Sequence, residues 1–308
     1  MRRLPVLALA VSLLLFCQQA AAAGLTKISD SVYSYVDCQG ACAKNSFGSN
    51  AGIIIGKDFL VAVDALMSAK EAQRFIKDIR KISNKPIKFL IDTHYHSDHT
   101  LGNVEFAKLG AIIISQENAR KNMEKAGAGM VQHAEKSGLS PQDLKDTKVT
   151  HPTLTFKERV TLYLGNNKVE IIYPGPAHTS GNVIVYVPRE KVLFAGDLLF
   201  TDFHPYLGEA DIAGWVKVLD RLMAMDVTKI IPGHGPLSTK KDLADLKTYL
   251  LVFDQKAKEL SAKSHDLDFI TVRMKKSLPK RGQLDSLIPR NIQMKYLAKE
   301  KLPQPQGK

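Results

Sequence analysis

The sequence predicts an α+β protein: a strand-rich body, amphipathic helices beside it, and a basic helical tail. Three observations predict this. Short runs of Val, Ile, Leu and Phe recur along the chain, and most stop at Gly, Pro or Asn turns, the pattern of buried strands. Other stretches place apolar residues at helical spacing, as at Ala72, Phe75, Ile76 and Ile79. Several of the strand-like runs lead straight into a histidine or an aspartate, so a rigid base presents residues that bind metals or move protons.

Residues 1–23 stand apart. Met1-Arg-Arg supplies positive charge, Leu4 to Phe16 is an apolar core, and Ala21-Ala-Ala23 is a small-residue cleavage site. That is the pattern of a secretory signal peptide, and its core is short for a membrane span. The expected location is periplasmic or secreted, with no stable membrane insertion after cleavage behind Ala23. Cys17 does not read as a lipidation site, because bulky Phe16 precedes it. Only Cys38 and Cys42 remain beyond the leader. In an exported protein they are candidates for a small disulfide loop turned at Gly40, or else two free thiols.

The chain carries 43 Lys and Arg against 31 Asp and Glu. Without Arg2 and Arg3 the basic count is 41, an excess of 10, and residues 240–308 hold 8 of that excess. The charges there alternate with apolar residues, as on a solvated amphipathic face. Export argues against a nucleic-acid partner. The expected partner is a small-molecule substrate.

In chain order, Val32 to Val36, Ala51 to Ile55 and Leu60 to Asp64 read as opening strands. Ser68 to Ser83 reads as a helix with Ser68 as its N-cap. Pro86 to Ile91 and Ala111 to Ile114 are further strands, and the polar stretch Gln116 to Asp146 reads as broken helices. Leu154 to Phe156 follows. Val160 to Leu164 and Val169 to Tyr173 form a hairpin around Gly165-Asn-Asn, and Val183 to Val187 and Lys191 to Ala195 form another around Pro188-Arg-Glu. Asp211 to Met225 is an amphipathic helix with Trp215 toward the core, and a last strand begins at Lys229. Residues 24–239 thus form the body. The extension 240–308 has a helix at Leu243 to Ser261, then a basic helical region broken at Pro279 and Pro289 that ends in Asn291 to Tyr296. Pro303 to Lys308 is expected to be disordered.

The chemistry concentrates in Thr93-His-Tyr-His-Ser-Asp-His-Thr100. Three of the chain's nine histidines, His94, His96 and His99, fall within six residues together with Asp98. Imidazole and carboxylate are the usual ligands of zinc and similar ions. In an extended loop His94, His96 and Asp98 share one side and His99 points elsewhere, so one cluster can feed two adjacent metals. Three more strand ends repeat the device: Pro-Gly-Pro-Ala-His178, Phe-Ala-Gly-Asp197 and Ile-Ile-Pro-Gly-His234.

This ordered set resembles the metallo-β-lactamase superfamily over residues 28–240. The resemblance implies an αββα sandwich, two mixed sheets face to face with helices outside, and a site at one edge between them. It implies that His94, His96 and His178 hold one metal, that Asp98, His99 and His234 hold a second, and that Asp197 bridges both. Asp64 would be a buried supporting residue. The implied cofactor is two zinc ions per chain, with iron or manganese as alternatives. Between such ions a bridging water reaches a pKa of about 7 and becomes a nucleophile. Asp98 would orient that water or shuttle its proton. The implied rim is residues 116–146, where Met123, Met130 and His133 are candidates to touch substrate, although Met123 and Met130 read first as ordinary packing of a helix face. His204 or Tyr206 would overhang the metals, or else simply close a surface loop.

The implied activity is hydrolysis of an ester, thioester or lactam. An aspartate at 197 is similar to glyoxalase II and the broader ester and thioester hydrolases, whereas the zinc β-lactamases have Cys or Ser there. The exported hydrolases linked to quinoprotein and sulfur-oxidation systems are similar as well. Alternatives are β-lactamase activity and an iron-dependent persulfide oxidoreductase of the same fold.

Overall fold

The computed structural model describes residues 24–36, 48–165 and 167–297. The leader, Cys38, Cys42 and the last residues therefore lie outside the described residues. The first sheet takes seven strands in chain order: β1 (Thr26–Lys27), β2 (Val32–Ser34), β3 (Gly52–Ile55), β4 (Leu60–Val63), β5 (Ile87–Ile91), β6 (Ile112–Gln116) and β7 (Leu154–Phe156). It is antiparallel from β1 to β4 and parallel from β4 to β7. Parallel neighbours need crossovers, and helices supply them: α1 (Ala69–Ile82), then α2 (Ser97–Thr100) with α3 (Asn103–Lys108), then α4 (Glu117–Ala126) with α5 (Gly129–Lys136). Ser68 caps α1, its hydroxyl accepting the Glu71 N–H.

The second sheet comprises β8 (Arg159–Tyr163), β9 (Lys168–Ile172), β10 (Ile184–Val187), β11 (Val192–Phe200) and β12 (Lys229–His234). It is an antiparallel meander up to β11. The helix α6 (Ile212–Ala224) then crosses over and returns the chain as β12, parallel to β11. Pro232 is tolerated in β12 because that strand is an edge of its sheet.

Alternation along the strands builds the layers. In β4, Val61 and Val63 pack between the sheets while Leu60 and Ala62 face α1 and α3. In β11, Val192 and Phe194 face the first sheet, and Leu193 and Ala195 face outward. There they meet α6 and the extension's helices α7 (Lys240–Ser261) and α8 (Leu267–Ser277) through Trp215, Leu219, Leu250, Phe253 and Met274. The order helix, sheet, sheet, helix is the expected sandwich. Trp215 is fully buried and donates its indole N–H to Leu198 O at 3.0 Å.

Three expectations change. Residues Ser97–Thr100 are one helical turn entered from His96, not an extended loop, so Asp98 and His99 follow helical rather than two-residue spacing. The strand expected to stop at Ala195 runs on to Phe200, with register breaks on either side of Gly196. Asp197 therefore sits inside a bulged strand, which β12 pairs along its length. Pro289 lies in the first turn of α9 (Leu287–Ile292), where a missing N–H costs nothing, so it does not break that helix.

Candidate metal centre

All seven singled-out residues meet at one end of the two sheets. His94, His96, Asp98 and His99 follow β5, His178 lies in the turn between β9 and β10, Asp197 comes from β11, and His234 ends β12. They divide into two adjoining groups. In the first, His178 Nε2 lies 3.0 Å from His96 Nδ1 and 3.2 Å from Asp197 Oδ2, and His94 Nε2 is 3.6 Å from the same oxygen. In the second, Asp98 Oδ2 is 3.3 Å from His234 Nε2 and 3.5 Å from His99 Nε2. Asp197 Oδ1 stands 3.1 Å from His99 Nε2 and 3.4 Å from His234 Nε2. One carboxylate thus gives one oxygen to each group.

These residues fit a pair of cations. A tetrahedron of ligands about 2.0–2.1 Å from zinc has edges of roughly 3.3–3.4 Å, and the distances above run from 3.0 to 3.6 Å. His94 Nε2 and Asp197 Oδ1 are buried without a hydrogen-bond partner among the described residues. A buried polar atom left so is costly unless something binds it.

The surroundings decide which ring nitrogens carry lone pairs. Thr93 Oγ1 donates to Asp64 Oδ2 at 2.9 Å and so accepts from His94 Nδ1 at 3.1 Å. His99 Nδ1 donates to the same Asp64 oxygen at 2.9 Å. Asp64 thereby frees one Nε2 in each group, and it sits at φ +58, a conformation aspartate tolerates better than most residues. On the open side, Glu209 Oε1 accepts from His96 Nε2 and from Tyr95 OH, both at 2.7 Å. That leaves His96 Nδ1 turned inward. Such outer partners hold ligand rings in place. For Asp64→Asn we expect the backbone to survive, since asparagine also accepts positive φ, and metal affinity to fall about 10- to 100-fold. Competition against a chromophoric chelator measures it; unchanged affinity rules out this role.

Burial holds His94 and His178 below the ordinary histidine range, so both are neutral, as ligands must be. Burial also opposes charge on His99 and His234, but the carboxylates of Asp197 and Asp98 outweigh it. His99 is held well above its ordinary value and His234 is pushed up to about 9. The metal-free centre therefore keeps protons where cations belong. Below His234's ordinary 6.5, folded and unfolded chains are both protonated and the full stabilisation is present; it is lost as pH rises through about 9. Chelated protein should accordingly lose thermal stability between pH 6.5 and 9.5, while metal-loaded protein should change much less. Melting curves of both forms across that range test this.

In front of the centre lies a cleft of about 500 Å³. Asp98, Asp197, His96 and Glu209 line its floor, and Met130 and His133 of α5 line one wall. Met123 is buried instead in a cluster with Met67 and Leu101. Tyr206 does overhang, its ring 5.8 Å from that of His96. His204 does not. It is buried, its Nδ1 2.7 Å from Tyr249 OH and its Nε2 3.0 Å from Asp285 Oδ1. Sequence reasoning misses Glu209 and Tyr95. Tyr95 has a signal in its place between two ligands, but Glu209 has none, because a surface loop brings it back. The remaining cleft wall comes from Leu284, Leu287 and Arg290 of the extension.

Two facing mixed sheets, helices outside, and a His/Asp centre at their ends define a class of metal-dependent hydrolases. The family model of the metallo-beta-lactamase superfamily matches residues 45–234, which include all seven clustered residues. The chain belongs to the metallo-β-lactamase superfamily, whose members are generally metal-dependent hydrolases. Among curated proteins it is similar to the alpha subunit of 2,4-dinitroanisole O-demethylase from Nocardioides sp. (strain JS1661), at 27% identity over 200 residues, 64% of this chain. The match spans 56% of that relative, little more than half its length. Among solved structures it is similar to a metallo-β-lactamase from Pontibacter korlensis, with 24% identity, a TM-score of 0.58, and coverage of 74% of this chain and 98% of that one. A DIM-1 metallo-β-lactamase exposed to ceftazidime matches at 22% identity and a TM-score of 0.58, over 74% of this chain and 95% of that one. These structural likenesses speak to fold alone.

Proposed function

We propose that the protein is an exported dinuclear zinc hydrolase acting on an ester, thioester or lactam carbonyl. The observation that carries this reading is the pair of adjoining ligand groups sharing Asp197. Imidazole-rich sets with carboxylate and no thiolate suit zinc. When bound, such a pair of ions supplies Lewis acidity and a water-derived nucleophile at neutral pH.

The chain's own residues do the rest. His94, His96 and His178 would hold one ion, and Asp98, His99 and His234 the other, with Asp197 between them. Asp98 lines the cleft, where its carboxylate would orient an attacking water or shuttle its proton. Ser49 Oγ donates to Asp98 O at 2.8 Å and fixes that turn. Met67, Met130, Leu284 and Leu287 present apolar surface around the substrate, which limits competing water.

Export rests on the leader pattern of residues 1–23. N-terminal sequencing of protein from the periplasm or medium should begin at Gly24. Elemental analysis should find two zinc ions per chain, and turnover from a panel of thioesters, lactones and β-lactams should vanish on chelation and return with zinc. A metal-free preparation with full activity would falsify the reading.

A further inference from the structure

The loop that carries Glu209 is held from outside the family-matched region. Residues 201–211 join β11 to α6 without a helix or strand of their own, and such a segment is ordinarily mobile. Here the extension bonds its backbone repeatedly. Arg281 Nη1 donates to Phe203 O at 3.0 Å, and Gln283 O accepts the His204 N–H at 3.0 Å. Asn291 of α9, fully buried, donates to Pro205 O at 2.8 Å and accepts the Leu207 N–H at 2.7 Å. Lys295 donates to Ala210 O. Apolar packing reinforces these bonds, since Leu207 and Ala210 are buried in one cluster with Ile288 and Ile292.

Glu209 lies between Leu207 and Ala210, the two positions that Asn291 and Lys295 hold. Its carboxylate accepts from His96 Nε2 and from Tyr95 OH, both at 2.7 Å. The extension thus fixes the backbone on either side of Glu209, and the Glu209 side chain fixes the His96 ring. His94 and His99 are oriented differently. Their partners, Thr93 and Asp64, belong to the matched region itself.

We propose that Asn291 and Lys295 are positioning residues for the metal centre: by holding Leu207 and Ala210 they place Glu209, and Glu209 keeps His96 Nδ1 turned inward. This rests on the reading of the His/Asp cluster as a metal site. Outer partners that orient a ligand ring raise metal affinity, and they do so best when they are themselves locked in place. The effect is local. It acts on the group formed by His94, His96, His178 and Asp197, and the group formed by Asp98, His99 and His234 does not depend on Glu209.

Two measurements on the full chain test it. The first titrates zinc against a chromophoric chelator, with His96→Ala marking which binding step belongs to its group. Asn291→Ala should weaken that step about tenfold and leave the other within about twofold. In a Glu209→Ala background, Asn291→Ala should add nothing further, because the two residues act in series. Tyr296→Phe is the control: it removes a 2.9 Å bond to Asp254 inside the extension and should leave both steps unchanged. Should Asn291→Ala fail to fold, Lys295→Met at a half-buried position carries the same comparison. Equal weakening of both steps, or losses that multiply in the double variant, would reduce the extension to general support and overturn the proposal. The second measurement needs no metal. In chelated protein at about pH 8, above the ordinary histidine range, ring nitrogen NMR should show the His96 proton held on Nε2, and Asn291→Ala or Lys295→Met should let it exchange between the two nitrogens. If that change occurs in protein that takes up no zinc, the metal reading fails and the positioning role stands. If zinc binds in two steps and both variants leave His96 and its step unaltered, the positioning role is wrong and the metal reading stands.

Discussion

Replacing Asp197 by alanine is expected to reduce turnover by about 10³-fold, the loss of several kcal/mol of Lewis-acid stabilisation. Its two oxygens stand 3.2 Å from His178 Nε2 and 3.1 Å from His99 Nε2, so no other side chain repeats its double contact. Both ligand groups lose a corner at once. Metal content should therefore drop at both positions, unlike a change at His178, which belongs to one group. A second readout separates this from simple misfolding. Without Asp197 the charged forms of His99 and His234 lose their leading stabiliser. The chelated variant should consequently show a flatter dependence of melting temperature on pH between 6.5 and 9.5 than the chelated parent. A variant that keeps two metals and near-parental kcat/KM would remove Asp197 from the centre.

Gly233→Ala is expected to lower kcat/KM by about 100-fold, the scale of a 1 Å misplacement of a reacting group. The glycine is needed for room. A Cβ there would overlap Asp197 Oδ1 and come within 2.8 Å of the Asp197 backbone nitrogen. Strand β12 lies so close to the bulge in β11 that only a residue without a side chain lets the Asp197 carboxylate lie between the two histidine groups. Because the clash involves backbone, the carboxylate must move. Activity and metal content should fall together while the far-ultraviolet circular dichroism is kept. Full activity in this variant would show that the carboxylate has freedom the structure does not give it.

Much of the site is legible in the sequence. The ligand residues can be found because each is a metal-binding residue type placed within several residues of a short apolar run, and such runs are local features. The helices at Ala69–Ile82 and Ile212–Ala224 are legible for the same reason, their apolar spacing being written into a dozen consecutive residues. Anything set by pairing between distant segments escapes such a reading. The run after Lys191 looks finished at Ala195, because Gly196 and Asp197 suit a turn. Pairing with β12 carries the strand through them to Phe200.

The sequence by itself placed most strands and helices, the seven His and Asp residues and the helical character of the extension, because residue type and short-range periodicity suffice for these; the sandwich was implied by the family resemblance. Tertiary structure alone decided that Asp64 serves one histidine in each group, that Glu209 reaches back to His96, and that Arg290 closes the cleft. Those contacts join residues tens to hundreds of positions apart. Their geometry follows from strand order and helix docking, which no local window of sequence contains.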